Sequence, residues 1–189
     1  MDNKRNLRQD LILAGIEEIR HHGASDFSFR RVAIACNVST AAPYKHFRDK
    51  KEFISAIIDH VNDKWAERQD EIILNSGDTL REQIIDVCLG YIRFLMEEPS
   101  YRSVLMLKDE GFDNLYHKKR TQFGSTAQTL QHHLHEASGF TDDVWQRKLL
   151  ACRSLIFGSV FLFDAGEFEY NETTMEHIRY TLNREFEIM

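Results

Sequence analysis

The chain has 189 residues, 42% hydrophobic and 29% charged, which suits one or two small globular domains. Its three cysteines, Cys36, Cys88 and Cys152, are far apart and form no C-x-x-C pair, which argues against a disulfide framework or a zinc site and for a reducing, cytoplasmic compartment. The net charge of −6 hides an asymmetry: residues 1–50 hold nine Lys/Arg and six Asp/Glu, a basic head of +3, and the remainder holds 15 and 24, an acidic body of −9.

In chain order, the first predicted helix runs from near Lys4 to His22 and stops at Gly23. Leu7, Leu11, Ile12, Ile16 and Ile19 recur along it at helical spacing. No signal-peptide shape precedes it. Residues 28–53, SFRRVAIACNVSTAAPYKHFRDKKEF, then read as two short helices about a tight turn and the start of a third. Ser28 is the expected N-cap of the first, because its hydroxyl can take an unpaired backbone N–H. Asn37 stands at the turn, where it tolerates a left-handed conformation better than most residues. Val38 and Ser39 follow as an inward hydrophobe and an N-cap, and the second helix is expected over Thr40 to Phe47. Asp49 and Glu52 form a D-x-x-E capping box for the helix after it. Such a helix–turn–helix lays its second helix in the DNA major groove.

A long fourth helix is expected from Lys50 to before Gly77, with Ile54, Ile58, Val61 and Trp65 inward. A fifth is expected from an Asp78 cap to Pro99, burying Leu80, Ile84, Val87, Cys88, Tyr91 and Leu95. A short helix over 100–108 follows, then one over 113–137. An eighth, capped by Thr141 or Asp142, reaches Ala165, and a ninth runs from Thr173 to the C-terminus. The longest apolar run, Leu155 to Phe163, falls well short of the roughly 20 residues that span a bilayer, so no membrane partner is expected. That eighth helix is apolar nearly all round and should be covered all round. It is either a central core helix or a helix shared with a second copy of the chain. The last helix offers a stripe of Met175, Ile178, Leu182 and Phe186.

The stretch VAIACNVSTAAPYKHFRDKKEF resembles the DNA-binding signature of the TetR family of bacterial transcriptional regulators, IA-x-x-AGVS-x-x-x-x-Y-x-HF-x-x-K-x-x-L. Ala33, Val38, Ser39, Tyr44, His46, Phe47 and Lys50 match it. Cys36-Asn37 replaces the usual Ala-Gly, and Pro43 falls inside the recognition helix. The resemblance implies an all-α protein of about nine helices. Residues 1–48 would form a three-helix DNA-binding head, and residues 49–189 a helical-bundle body for ligand binding and dimerisation.

Expected DNA contacts are Ser28, Ser39, Thr40, Ala41, Tyr44, Lys45, His46 and Lys50. Thr40 and Ala41 are placed for base edges, and Lys50, at a helix N-terminus, for phosphate. Phe47 is expected in the core. Family members dimerise through their last two long helices, which implies an interface of Leu155, Ser159, Leu162, Phe163, Met175, Ile178, Leu182 and Phe186. The expected partners are a double-stranded operator, a second copy of the chain and a small-molecule effector. The alternative is control by a protein partner or by dimer assembly, without a small molecule.

Trp65, Cys88, Tyr91, Phe123, Arg153 and Phe157 are the expected effector pocket, although aromatics at helical spacing are also ordinary core. Arg153 could face an anionic ligand or an internal carboxylate. His117, His132, His133 and His135 cluster in sequence, but no cysteine or carboxylate completes an obvious metal set. No cofactor and no metal is expected. The chain has no G-x-S-x-G, P-loop, HExxH or nucleotide-binding glycine pattern, so it is not expected to be an enzyme.

Overall fold

The computed structural model describes residues 6–106 and 125–187. Among them are eight α-helices, one short 3-10 helix and no strand. The helices are α1 (Leu7–His22), α2 (Phe29–Ala35), α3 (Lys50–Asn75), α4 (Leu80–Glu97), α5 (Pro99–Leu105), α6 (Ser125–Ser138), α7 (Asp142–Asp164) and α8 (Glu172–Glu185). The 3-10 helix is Pro43–Lys45.

Short polar residues set most helix starts. Asn6, Ser28, Thr141 and Asn171 each accept a backbone N–H of the first turn they precede. The cap of α4 is Thr79, one residue beyond the expected Asp78. The Glu82 N–H donates to the Thr79 hydroxyl at 3.2 Å, and the Thr79 N–H donates back to the Glu82 carboxylate at 3.2 Å. Pro99 does not merely end α4; it opens α5, where its missing N–H costs nothing.

The chain folds into two compact units, with the division inside α3 between Lys64 and Trp65. The first contains the described residues up to Lys64 and residues 98–106. Its core is Leu11, Ile12, Ile16 and Ile19 of α1, Val32 and Ala33 of α2, Phe47, and Phe53, Ile54, Ile57, Ile58 and Val61 of α3. Phe53 is the hub. Its ring centroid lies 4.5 Å from that of Phe47, 5.1 Å from Phe29 and 5.3 Å from Phe27. Gly15 lets α1 sit on this cluster, because a Cβ there would clash with the Phe53 ring.

The second unit contains Trp65–Glu97 and the described residues from Ser125 on. Helix α4 is its centre and packs on α6, α7 and α8. Ten of its residues are buried, from Ile84 to Leu95, so it is apolar almost all round in the way expected of α7. Gly90 allows α3 to approach it, since a Cβ would collide with Ile72.

Candidate nucleic-acid interface

The segment between α2 and α3 is built from a capped start, a left-handed turn and a proline. At its start, the Ser28 hydroxyl accepts the Arg31 N–H at 3.4 Å. Ser28 is therefore a cap, and its own N–H donates to Glu18 at 3.0 Å. Glu18 is only 7% exposed, and it also accepts the Arg31 guanidinium at 2.5 and 2.7 Å. A buried carboxylate at that position needs a cation beside it. This Glu18–Arg31 tie fixes α2 on α1 and was not among the expected site residues. Its signal was present: Glu18 lies on the same inward face as Leu11 and Ile19.

Helix α2 ends in a Schellman motif. Asn37 has φ 56°; its N–H donates to the Ile34 carbonyl at 3.0 Å, and the Val38 N–H donates to Ala33 at 3.0 Å. Asn37 thus fills the left-handed position for which the resembling signature uses Gly.

The expected second helix over Thr40–Phe47 is not formed. One 3-10 turn, Pro43–Lys45, stands in its place. With Ser39 as N-cap, Pro43 falls at the fourth helical position. Its N–H would have made the first intrahelical bond, to the Ser39 carbonyl. Lacking it, the chain closes a tighter turn. The Ala42 N–H donates to Ser39 at 2.9 Å, Lys45 to Ala42 at 3.1 Å, and His46 to Pro43 at 3.0 Å.

Ser39, Thr40, Ala41, Tyr44 and Lys45 stand exposed on this turn, Tyr44 at 60%. The Tyr44 ring rests on Phe29, with centroids 5.0 Å apart. Ala42, Pro43 and Phe47 are buried beneath it. His46 is half-buried. Lys50 is half-buried as well, and its ammonium donates to the Ala24 carbonyl at 2.6 Å and lies 5.7 Å from the Phe27 ring centre. That contact braces the chain entering α2. The Asp49 carboxylate caps α3 by accepting the Glu52 N–H at 2.8 Å, and Glu52 accepts the Arg48 N–H at 2.9 Å. The Glu52 N–H and the Arg48 guanidinium hold the Asp49 carboxyl below its ordinary value.

In the second unit, Trp65, Cys88 and Tyr91 are buried together. The Trp65 ring lies 4.8 Å from Tyr91 and 5.3 Å from Phe94, and Phe157 meets Tyr91 edge-on at 6.3 Å. Burial raises the Tyr91 hydroxyl and the Cys88 thiol, and the nearby Arg153 charge partly offsets the first. Trp65, Tyr91 and Phe94 form a packed aromatic core, with the half-buried Phe157 at its edge. Phe123, also expected in the pocket, lies outside the described residues, as does His117. A cleft of about 230 Å³ opens elsewhere on α3 and α4, lined by Arg68, Ile72, Ser76, Asp86, Gly90 and Arg93.

The expected interface residues divide. Met175, Leu182 and Phe186 are at most 2% exposed and Ile178 is 6% exposed, so this stripe of α8 is turned into the unit's own core. Ser159 and Phe163 are also buried, while Leu155 and Leu162 are half-buried. The apolar residues that α7 and α8 leave open are Leu150, Phe161 and Tyr180, which were not expected there. A cleft of about 250 Å³ runs between these helices, lined by Leu155, Ser159, Leu162, Phe163, Phe168 and His177 among others.

His135 stacks on Trp145 at 4.9 Å and 12°, and His132 pairs with Glu136 at 3.3 Å. Among the described residues no group of three or more His, Cys, Asp or Glu is arranged to hold a metal. None of the described helices is long and apolar enough to cross a membrane.

Residues 11–57 match the model for bacterial regulatory proteins of the tetR family. Over its length the chain is similar to the nucleoid occlusion factor SlmA of Edwardsiella ictaluri (strain 93-146), with 24% identity across 96% of this chain and 94% of that protein. Its fold is similar to a TetR family transcription regulator from Marinobacter aquaeolei VT8, with TM-score 0.75, 20% identity and 94% of each chain covered. A TetR-like regulator from Rhodococcus sp. RHA1 superposes with TM-score 0.69 at 17% identity, over 96% of this chain and 94% of that one. The matched segment begins in α1, contains the whole turn described above and ends in α3. Through residues 11–57 the chain carries an N-terminal domain of the tetR family of bacterial regulatory proteins, and this match supports the role of a DNA-binding transcriptional regulator.

Proposed function

We propose that the chain is a cytoplasmic repressor that binds a near-palindromic operator as a homodimer and is released by a small-molecule effector. Residues 1–48 would serve as the DNA-binding head and residues 49–189 as the effector and dimerisation body. The observation that carries the reading is the exposed turn of Ser39, Thr40, Ala41, Tyr44 and Lys45, held on a core of Phe29, Phe47 and Phe53. Two such heads one helical turn apart, about 34–36 Å, read two half-sites. Gel shifts across a salt series test it. A selected duplex should bind tightly at low salt and lose affinity steeply as salt rises. Salt-independent binding, or none, would contradict it.

For the homodimer, support comes from the open face of α7 and α8. Phe161 is 63% exposed and Leu150 67%, and a Cβ on Gly158 would meet nothing within 4 Å, so a second helix has room to approach. For the effector, support comes from the cleft beside α3, since α3 runs unbroken from Lys50 to Asn75. A ligand there acts only if it binds one position of that helix better than another.

The second reading is control by a protein partner or by assembly on DNA. It is favoured by the similarity to a nucleoid occlusion factor and by the tight packing of Trp65, Tyr91 and Phe94. A compound that raises thermal stability and weakens operator binding together supports the first reading. Compounds that stabilise the body yet leave operator affinity unchanged support the second.

A further inference from the structure

We propose that this chain reads its operator mainly through thymine methyl groups contacted by Thr40 and Ala41, and that Pro43 is the positioning residue that sets this mode. The proposal rests on the operator-binding reading above. Strong base discrimination comes from side chains that make two hydrogen bonds to one base, Arg or Lys to guanine and Asn or Gln to adenine, at about 5- to 150-fold per pair. The exposed residues of the turn are Ser39, Thr40, Ala41, Tyr44 and Lys45. Lys45 alone in that set belongs to these types; of the flanking exposed residues, Asn37 closes the end of α2 and Arg48 is paired with Asp49 at 3.1 Å.

Thr40 and Ala41 present methyl groups on the shortest possible stems. Both precede the 3-10 helix, in the turn that the Ala42-to-Ser39 bond closes at 2.9 Å. A turn with short side chains brings the backbone close to the base edges, where the C5-methyl of thymine is the apolar feature. In a regular helix begun at Ser39, successive residues would be turned about 100° apart along a cylinder. Pro43 prevents that helix by lacking the N–H for its first bond, and it is itself buried under the turn. Pro43 therefore decides which side chains point outward without itself reaching DNA.

The test uses the full-length protein and duplexes of about 30 bp that it enriches from a randomised pool, enough for two half-sites and their flanks. Thymines in the half-sites are replaced by deoxyuridine, which removes only the methyl, or guanines by 7-deazaguanine, which removes only N7. Each contacted methyl should contribute about 4-fold in affinity. Deoxyuridine should therefore cost more than 7-deazaguanine. Thr40→Ser and Ala41→Gly, both at exposed positions, should each abolish the sensitivity to one methyl. Pro43→Ala should change which sequences are enriched, whereas a merely structural role would lower affinity for all sequences alike.

Equal binding of thymine and deoxyuridine duplexes, or a larger loss from 7-deazaguanine, would overturn this inference and leave operator binding standing. Absence of any duplex binding at low salt would instead overturn the operator reading itself.

Discussion

Single residues in the head have separable tasks. Asn37 occupies a left-handed position, φ 56°. Asn37→Gly should be neutral or stabilise by up to about 1 kcal/mol, while Asn37→Val should destabilise by about 1–2 kcal/mol or more, because a branched Cβ resists that conformation. Thermal melts of the two variants decide it. The two lysines of the motif should also separate. Lys45 is exposed, so Lys45→Ala should lower the magnitude of the salt slope by about one with little effect on stability. Lys50 is tied to the Ala24 carbonyl, so Lys50→Ala should lower the melting temperature as well. The reverse pattern would reassign the phosphate contact to Lys50, as the sequence suggested. The Ser28 cap, the Asn37 turn and the inward Phe47 were legible because each follows from local backbone chemistry. The Lys50 brace was not, since its partner lies 26 positions away at Ala24.

At the level of elements, helix spans were legible wherever a periodic apolar face met a clear stop, as in α1 before Gly23 and α3 before Gly77. The second helix expected over Thr40–Phe47 is replaced by a 3-10 turn at Pro43–Lys45. Pro43 is harmless in the first turn, but at the fourth helical position it removes the bond that nucleates the helix. Helix α8 was read correctly as amphipathic, but periodicity says which face is apolar and not what covers it. In the structure its own unit covers Met175 and Leu182. It follows that Leu182→Glu should unfold the body, whereas Phe161→Glu should leave it folded. If α7 forms the dimer face, Phe161→Glu should also yield monomers by sedimentation. A folded, dimeric Phe161→Glu protein would exclude that face.

The helix caps carry a pH dependence. Asp49 is held below its ordinary 3.8 chiefly by the Glu52 N–H, and Glu82 below its ordinary 4.5 chiefly by the Thr79 hydroxyl. Both values are lowered on folding, so their contribution is present above those ordinary values and is lost as pH falls through the folded ones. Asp49→Asn with Glu82→Gln should flatten the acid limb of the stability profile and lower stability at neutral pH.

For the whole molecule, the governing feature is a charge asymmetry of +3 over residues 1–50 and −9 over the rest, which favours approach of the N-terminal segment to phosphate. The family resemblance was legible from residues 33–50, whereas the compact units divide at Lys64/Trp65, inside a helix that composition does not mark. Trp65, Tyr91 and Phe157 have the spacing of a pocket wall and of a core alike, so spacing did not separate the two; Trp65 and Tyr91 are buried and Phe157 is half-buried. The central claim is that two copies of this chain act together on one operator. Sedimentation of the protein with a labelled, self-selected duplex tests it most directly. Two protomers per duplex of paired half-sites, falling to weak binding when one half-site is scrambled, is the predicted result. One protomer per duplex, bound equally well to a single half-site, would contradict the account.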